Sequence, residues 1–358
     1  MNALAAALAE EIREHGPIPV ARYMAEALGN PEHGYYMKQM PIGAAGDFVT
    51  APEVSQMFGE LIGLWGAEAW RLMGTPAPIL WVELGPGRGT LSRDAMRVAD
   101  HVPGFRRAIE VHLVETSPIL TCVQQSALRG TWHERFEDVP AGPMLLVANE
   151  FFDALPIRQY EKHADGWHER RVGLNGSDQF AFTTASLACS EAPVPPALDG
   201  LGEGAIVEIC PDGMAVVGAI AERIVRHGGA ALIIDYGHTQ SAPGETLQAV
   251  RRHAYHPVLA DPGDADLTAH VDFAALKRAT EAKGAVVLGP TPQGCFLRAL
   301  GIEQRADALR RGAPAGQARD VASGLRRLTD PRAMGQLFKV MAIVHPDLAG
   351  LEGFEQPA

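Results

Sequence analysis

Four groups of residues in this chain combine side-chain type with a spacing that chemistry can use. The first is Glu83-Leu84-Gly85-Pro86-Gly87-Arg88-Gly89-Thr90-Leu91, preceded by the apolar run Ile79–Val82. It reads as a strand ending in an acid, three glycines at alternate positions, and a helix opening. Glycines there let a ligand lie directly on the backbone, because no Cβ holds it off and positive φ is tolerated. Amides at the start of the next helix favour an anionic group such as a carboxylate. A dinucleotide fingerprint needs G-x-G-x-x-G, and Thr90 stands where its third glycine would fall. A nicotinamide cofactor and a merely tight turn remain as alternatives. The second group is Glu115, 26 residues after Gly89, close to the roughly 20-residue spacing at which an acid takes ribose hydroxyls. The third is Asn149-Glu150-Phe151-Phe152-Asp153-Ala154-Leu155-Pro156, an amide and two acids past the end of a strand. The fourth is Asp266-Leu267-Thr268-Ala269-His270-Val271-Asp272, where Asp266 and His270 could line a pocket and His270 could carry a proton. Each has a plainer reading: Glu83 and Glu115 as caps, Glu150 as a solvated turn residue, Asp153 as a helix cap. Asp272 reads as the cap of a helix starting at Phe273, and no metal site is expected from Asp264, Asp266 and His270.

These groups need elements to hold them. Apolar runs at Ile79–Leu84, 109–115, Met144–Asn149, 230–235 and Phe338–Val344 alternate with helical patterns at 91–99, 117–129, 214–227 and near 272–283. Strand–helix alternation predicts an α/β fold: a mostly parallel, Rossmann-like sheet with helices on both faces and ligands at the carboxyl ends of its strands. Before it, residues 2–15 and 17–29 read as short amphipathic helices parted by Gly16-Pro17, and Thr50-Ala51-Pro52-Glu53 has the pattern of a capping box opening a helix over 52–73. After Pro156 the pattern breaks into short antiparallel strands at 157–162, 167–174 and 179–183. The expected division is an N-terminal helical and lid segment (1–75), a first half of the core (76–156), an antiparallel insertion fit for docking a substrate (157–204), and a second half of the core (205–358).

Among 358 residues, 47% are hydrophobic and 21% charged, the make-up of a chain with a sizeable core. A net charge of -12 argues against a general nucleic-acid binder. Four scattered cysteines form no C-x-x-C pair, which suggests neither zinc nor a disulfide framework. No apolar run is long enough to span a membrane, and Met1–Ile12 reads as a helix, not a signal peptide. A cytoplasmic location is expected.

The E-x-G-x-G-x-G turn is similar to the first motif of S-adenosyl-L-methionine methyltransferases. With 46–53, 55–60, 83–91, 149–156, 235–237, 266–273 and 334–340, the chain resembles the MidA family, S-adenosyl-L-methionine-dependent methyltransferases related to a mitochondrial respiratory complex I assembly factor. The resemblance implies a class I methyltransferase fold, S-adenosyl-L-methionine as cofactor, and methylation of protein arginine, giving symmetric dimethylarginine on a complex I subunit. On that reading Gly85, Gly87 and Gly89 cradle the cofactor, Glu83 takes its amino group and Glu115 its ribose. Asn149 borders the adenine or the sulfonium, and Glu134 is a second adenine neighbour or a surface charge. Asp47 and Thr50 belong to a segment, 33–50, expected to close over the cofactor. Glu150 and Asp153 would face the acceptor, joined by Asp266 and His270. Methylation of a small metabolite, or a cofactor-binding assembly module without turnover, are the competing readings.

Overall fold

The computed structural model describes residues 2–38, 50–189, 192–348 and 350–354. Its centre is an eight-stranded sheet built from β1 (Ile79–Leu84), β2 (Ile109–Val114), β3 (Thr131–His133), β4 (Met144–Asn149), β5 (Gly229–His238), β6 (Val286–Pro292) and β7 (Phe338–Val344), with the short strand Val271–Asp272 joining the end of β5. The main path runs β6-β7-β5-β4-β1-β2-β3. On this path β7 alone runs opposite to the other strands. Strands β1, β4 and β7 coincide with the expected spans, because strands covered on both faces are near-continuous apolar runs.

Successive side chains leave a strand on opposite faces, and the core divides accordingly. Ile79 and Trp81 of β1 and Leu145 and Val147 of β4 pack with the helices Gln56–Leu72 and Thr90–Ala99. Leu80, Val82, Leu84, Leu146 and Ala148 pack on the other side with Val217, Ile220 and Ile224 of helix Pro211–His227 and Phe273 of helix Phe273–Glu281. That parity puts Glu83 and Asn149 on one face, at the carboxyl ends of adjacent strands.

Three local expectations change. The helix over 52–73 is two helices, Ala51–Val54 and Gln56–Leu72, because Ser55 is extended (φ -163°, ψ 138°) and its hydroxyl caps the second one. The small antiparallel sheet extends past the 157–204 boundary at both ends. Ile206–Ile209 pairs with Arg158–His163, and Ile18–Pro19 pairs with Gly166–Leu174. A third sheet, in the strand order Ala254–His256, Gln248–Arg251, Asp266–Thr268, carries no sequence signal, and neither does the helix Gln293–Ala299. One face of that third sheet packs on the N-terminal helices Ala3–His15 and Val20–Gly29, through Leu247, Ala249, Ala265 and Leu267.

Candidate functional site

Between β1 and helix Thr90–Ala99 the backbone turns on Gly85, Gly87 and Gly89, with φ of 60°, 55° and 75°. A Cβ on Gly85 would sit 3.0 Å from Phe151 Cδ2, and one on Gly89 would sit 3.0 Å from Leu128 Cδ1, so a side chain there would be tight against its neighbour as well as strained in φ. The turn is held from beneath by Gln124, a residue that sequence alone does not single out. Its Nε2 donates to Gly87 O at 2.8 Å and to Glu115 Oε2 at 3.0 Å, while its Oε1 accepts from Trp132 Nε1 at 2.8 Å. Ser117 N donates to the other oxygen of Glu115 at 2.8 Å. Both sides of the Glu115 carboxylate are thereby oriented, and burial raises its pKa.

Glu83 is 3% exposed. The Ser92 hydroxyl donates to it and accepts from Trp81 Nε1 at 2.8 Å. Burial pushes the Glu83 carboxyl up to about 8, with the Ser92 hydrogen bonds opposing and the charge of Glu115 adding to the rise. Glu83 lines a small cleft of about 40 Å³ with Thr50, Glu53, Gly85, Gly87, Thr90, Asn149 and Glu150. The capping box expected at Thr50 and Glu53 does not form. Thr50 makes no side-chain cap, and Glu53 instead accepts from Arg88 Nη1 at 3.0 Å and from the Thr90 hydroxyl. The residue in the third-glycine position of a dinucleotide motif thus ties the turn to the N-terminal segment.

The cleft adjoins a cavity of about 220 Å³ at the carboxyl ends of β1, β4 and β5. Its wall carries Glu115, Glu150, Asp153 and Asp266, with Tyr36, Tyr236 and Thr268 between them. No lysine or arginine is among the described residues that line it. Glu150 has φ of 51° and accepts from Ala51 N at 3.0 Å and Asn149 Nδ2 at 3.2 Å. Burial pushes it up to about 7, and the neighbouring charge of Asp153 adds to this, while Arg327 pulls the other way. Burial also raises Asp153, to about 6. The Tyr236 hydroxyl lies beside Asp153 and Thr268. Tyr36 Oη donates to both oxygens of Asp266 at 3.0 and 3.1 Å. Asn149 Oδ1 and Asp153 Oδ1 are buried with no hydrogen-bond partner.

The turn bearing Glu150 and Asp153 is organised by Asp235, 0% exposed, on β5 just past its last pair with β4. One of its oxygens accepts three successive backbone amides, Phe151 N at 3.2 Å, Phe152 N at 2.9 Å and Asp153 N at 3.2 Å. The other accepts Tyr236 N at 2.9 Å. In the sequence Asp235 and Tyr236 stand out only as part of a matching motif. The available signal is an acid followed by an aromatic residue at the end of an apolar run, the same grammar as Glu83 and Asn149-Glu150.

Structure therefore brings together Glu83, Gly85, Gly87, Gly89, Glu115, Asn149, Thr50, Glu150, Asp153 and Asp266. His270 is not brought to the cavity, contrary to expectation. The strand Asp266–Thr268 ends two residues before it; Ala269 N then bonds Asp153 O at 2.9 Å and the chain turns. The His270 ring lies edge-on to Tyr236, 5.6 Å between centroids, and lines a separate cavity of about 340 Å³. Burial lowers its pKa. Glu134 is exposed and lies outside the described cavity lining. Asp47 lies outside the described residues, as does the rest of 39–49. Asp272 caps helix Phe273–Glu281, its Oδ1 accepting Ala275 N at 2.9 Å.

A parallel sheet closed by one antiparallel strand, with a glycine turn after β1 and acids at the ends of β1 and β2, defines a class I S-adenosyl-L-methionine methyltransferase. Residues 61–291 match the S-adenosyl-L-methionine-dependent methyltransferase family model Methyltransf_28. The chain is 40% identical to "Protein arginine methyltransferase NDUFAF7 homolog, mitochondrial" of Drosophila melanogaster, covering 96% of this chain and 85% of that protein. It is 36% identical to the human "Protein arginine methyltransferase NDUFAF7, mitochondrial", covering 95% and 83%. A crystal structure of a COG1565 superfamily member from Burkholderia thailandensis, bound to S-adenosyl-homocysteine, superposes with a TM-score of 0.85 at 30% identity, over 98% of this chain and 94% of that one. The chain belongs to this methyltransferase family, the Methyltransf_28 or MidA family, and its cofactor is S-adenosyl-L-methionine. No helix of the described residues is long and apolar enough to cross a membrane.

Proposed function

We propose that this methyltransferase acts on arginine side chains of a protein, a subunit of respiratory complex I, carrying them to symmetric dimethylarginine. The observation that carries this is the acidic cavity: Glu150, Asp153 and Asp266 on one wall, with no lysine or arginine among the described lining residues. Relatives named as protein arginine methyltransferases support the same choice of acceptor.

When bound, S-adenosyl-L-methionine supplies an activated methyl group on a positively charged sulfur. Glu83 would hold the cofactor's amino group, Glu115 its ribose hydroxyls, and the glycine turn its backbone-hugging portion. An arginine side chain is cationic at physiological pH. Holding it about 4 Å from the sulfonium costs about 4 kcal/mol at an effective dielectric near 20. Glu150 and Asp153 offset that repulsion, orient the attacking nitrogen through charge-assisted hydrogen bonds, and stand ready to receive the proton that nitrogen loses. Their raised pKa values suit the last role, since a group titrating near the working pH takes up a proton readily. Tyr36 fixes Asp266 through its hydroxyl, and Tyr36 and Tyr236 help keep water out.

Mass spectrometry of complex I subunits from cells with and without this gene tests the reading. A subunit arginine dimethylated only in cells that have the gene is expected. An unchanged arginine methylation pattern rejects the substrate and leaves the fold and cofactor untouched.

A further inference from the structure

The proposed reaction uses the third sheet only through Asp266 and Thr268, yet these two side chains belong to a larger surface. Directly paired residues in antiparallel strands share a face. Asp266 pairs with Val250, Val250 pairs with Tyr255, and Thr268 pairs with Gln248. The five therefore lie on one face, opposite the face that Ala249 and Leu267 bury against the N-terminal helices. Along the row, exposure climbs from 4% at Asp266 through half-buried Val250 to 84% at Tyr255. The row starts in the cavity wall and ends in solvent. Two strand spacings cover about 10 Å, the reach of about three extended residues.

The hairpin tip adds a second observation. Arg251 and Ala254 pair, leaving Arg252 and His253 as a two-residue turn with φ of 52° and 61°. That conformation normally falls to Asn-Gly, and residues held in it against preference cluster at functional surfaces. The tip carries two cations, Arg251 and Arg252, with Asp261 bonded to Arg251 Nη1 at 3.2 Å, whereas the charged residues described in the cavity wall are all acids.

Building on the arginine-methylation reading, we infer that this face docks the polypeptide flanking the acceptor arginine. The occupant is an extended segment with an apolar residue about three positions from the arginine, packed on Tyr255, and an acidic residue beyond it facing the Arg251–His253 tip. A protein substrate needs such a path, because its backbone must leave the cavity along some wall, and this wall is continuous with the acceptor acids.

The test measures initial rates with two probes. One is a peptide of about eleven residues, with a central arginine, leucines three positions to either side and aspartates beyond them. The other is a glycine-arginine-glycine tripeptide, too short to reach Tyr255. Y255A is expected to raise KM for the long peptide about tenfold, as loss of an exposed aromatic anchor does, with kcat, S-adenosylhomocysteine affinity and tripeptide kinetics unchanged. Y255F is expected to behave as the parent. An unchanged long-peptide KM in Y255A overturns the docking surface, as does an equal rise for both peptides. Loss of a dimer in Y255A by sedimentation, without a KM change, gives the face to a second copy of the chain and also overturns it. If the parent binds S-adenosylhomocysteine and methylates neither peptide nor any complex I subunit, the arginine reading itself fails and the docking surface falls with it.

Discussion

Cofactor affinity should depend steeply on pH through Glu83. In the free protein burial holds this carboxyl at about 8, so at pH 7 about one molecule in ten carries the charge. A cofactor ammonium placed against it favours the ionised form, and binding near pH 7 should release about 0.9 proton. Affinity should then rise almost tenfold per unit as pH climbs toward 8 and level off beyond it. From pH 6 to pH 8 the gain works out at about fiftyfold, or about 2.3 kcal/mol. Glu83→Gln removes the titrating group. It should flatten this dependence and weaken binding at pH 8 about tenfold to a hundredfold, the worth of a charge-assisted hydrogen bond. Calorimetric titration with S-adenosylhomocysteine, in two buffers of different ionisation enthalpy, counts the protons directly. A pH-independent dissociation constant between 6 and 8, with no proton released, would refute the placement of the ammonium at Glu83.

The same carboxyl sets a stability trend in the ligand-free protein. Above about 4.5 the unfolded chain gives up the Glu83 proton while the fold keeps it to about 8, so the parent should lose ~3 kcal/mol relative to Glu83→Gln between pH 5 and pH 8 in denaturant titrations; parallel curves would contradict the burial argument. Gln124→Ala unties both the Gly87 carbonyl and Glu115 and should weaken S-adenosylhomocysteine about tenfold by calorimetry. Glu150→Gln and Asp153→Asn should each lower kcat on an arginine substrate about 10²- to 10⁴-fold, with cofactor affinity within about threefold of the parent. Asp235→Ala strands three consecutive amides and should lower unfolding free energy by ~2 kcal/mol or more, with kcat falling further than cofactor affinity.

The central strands could be located from sequence because burial on both faces leaves near-continuous apolar runs, as in Leu80–Leu84, broken only by Glu83, and Met144–Ala148. The third sheet could not: Gln248–Arg251 and Ala254–His256 mix charged and small residues, and their pairing depends on Asp266–Thr268, fixed elsewhere in the fold. The glycine turn was legible because φ and close approach impose residue type locally. Gln124 and Asp235 were not legible as site residues, since each acts through hydrogen bonds to backbone distant in sequence. His270 was misplaced for a related reason. Two-residue alternation from Asp266 would aim it at the cavity, but the strand stops at Thr268 and the alternation stops with it. Ser55 shows the reverse case, where one extended residue split a helix whose periodicity ran through it.

A structure of this chain with S-adenosylhomocysteine tests most directly whether one cleft seats the donor with its sulfur facing the acids. It should place the amino group against Glu83, the ribose hydroxyls on Glu115, and the sulfur toward Glu150, Asp153 and Asp266. Sulfur turned away from that cavity, or adenosine lying where Glu83 is, would contradict the account.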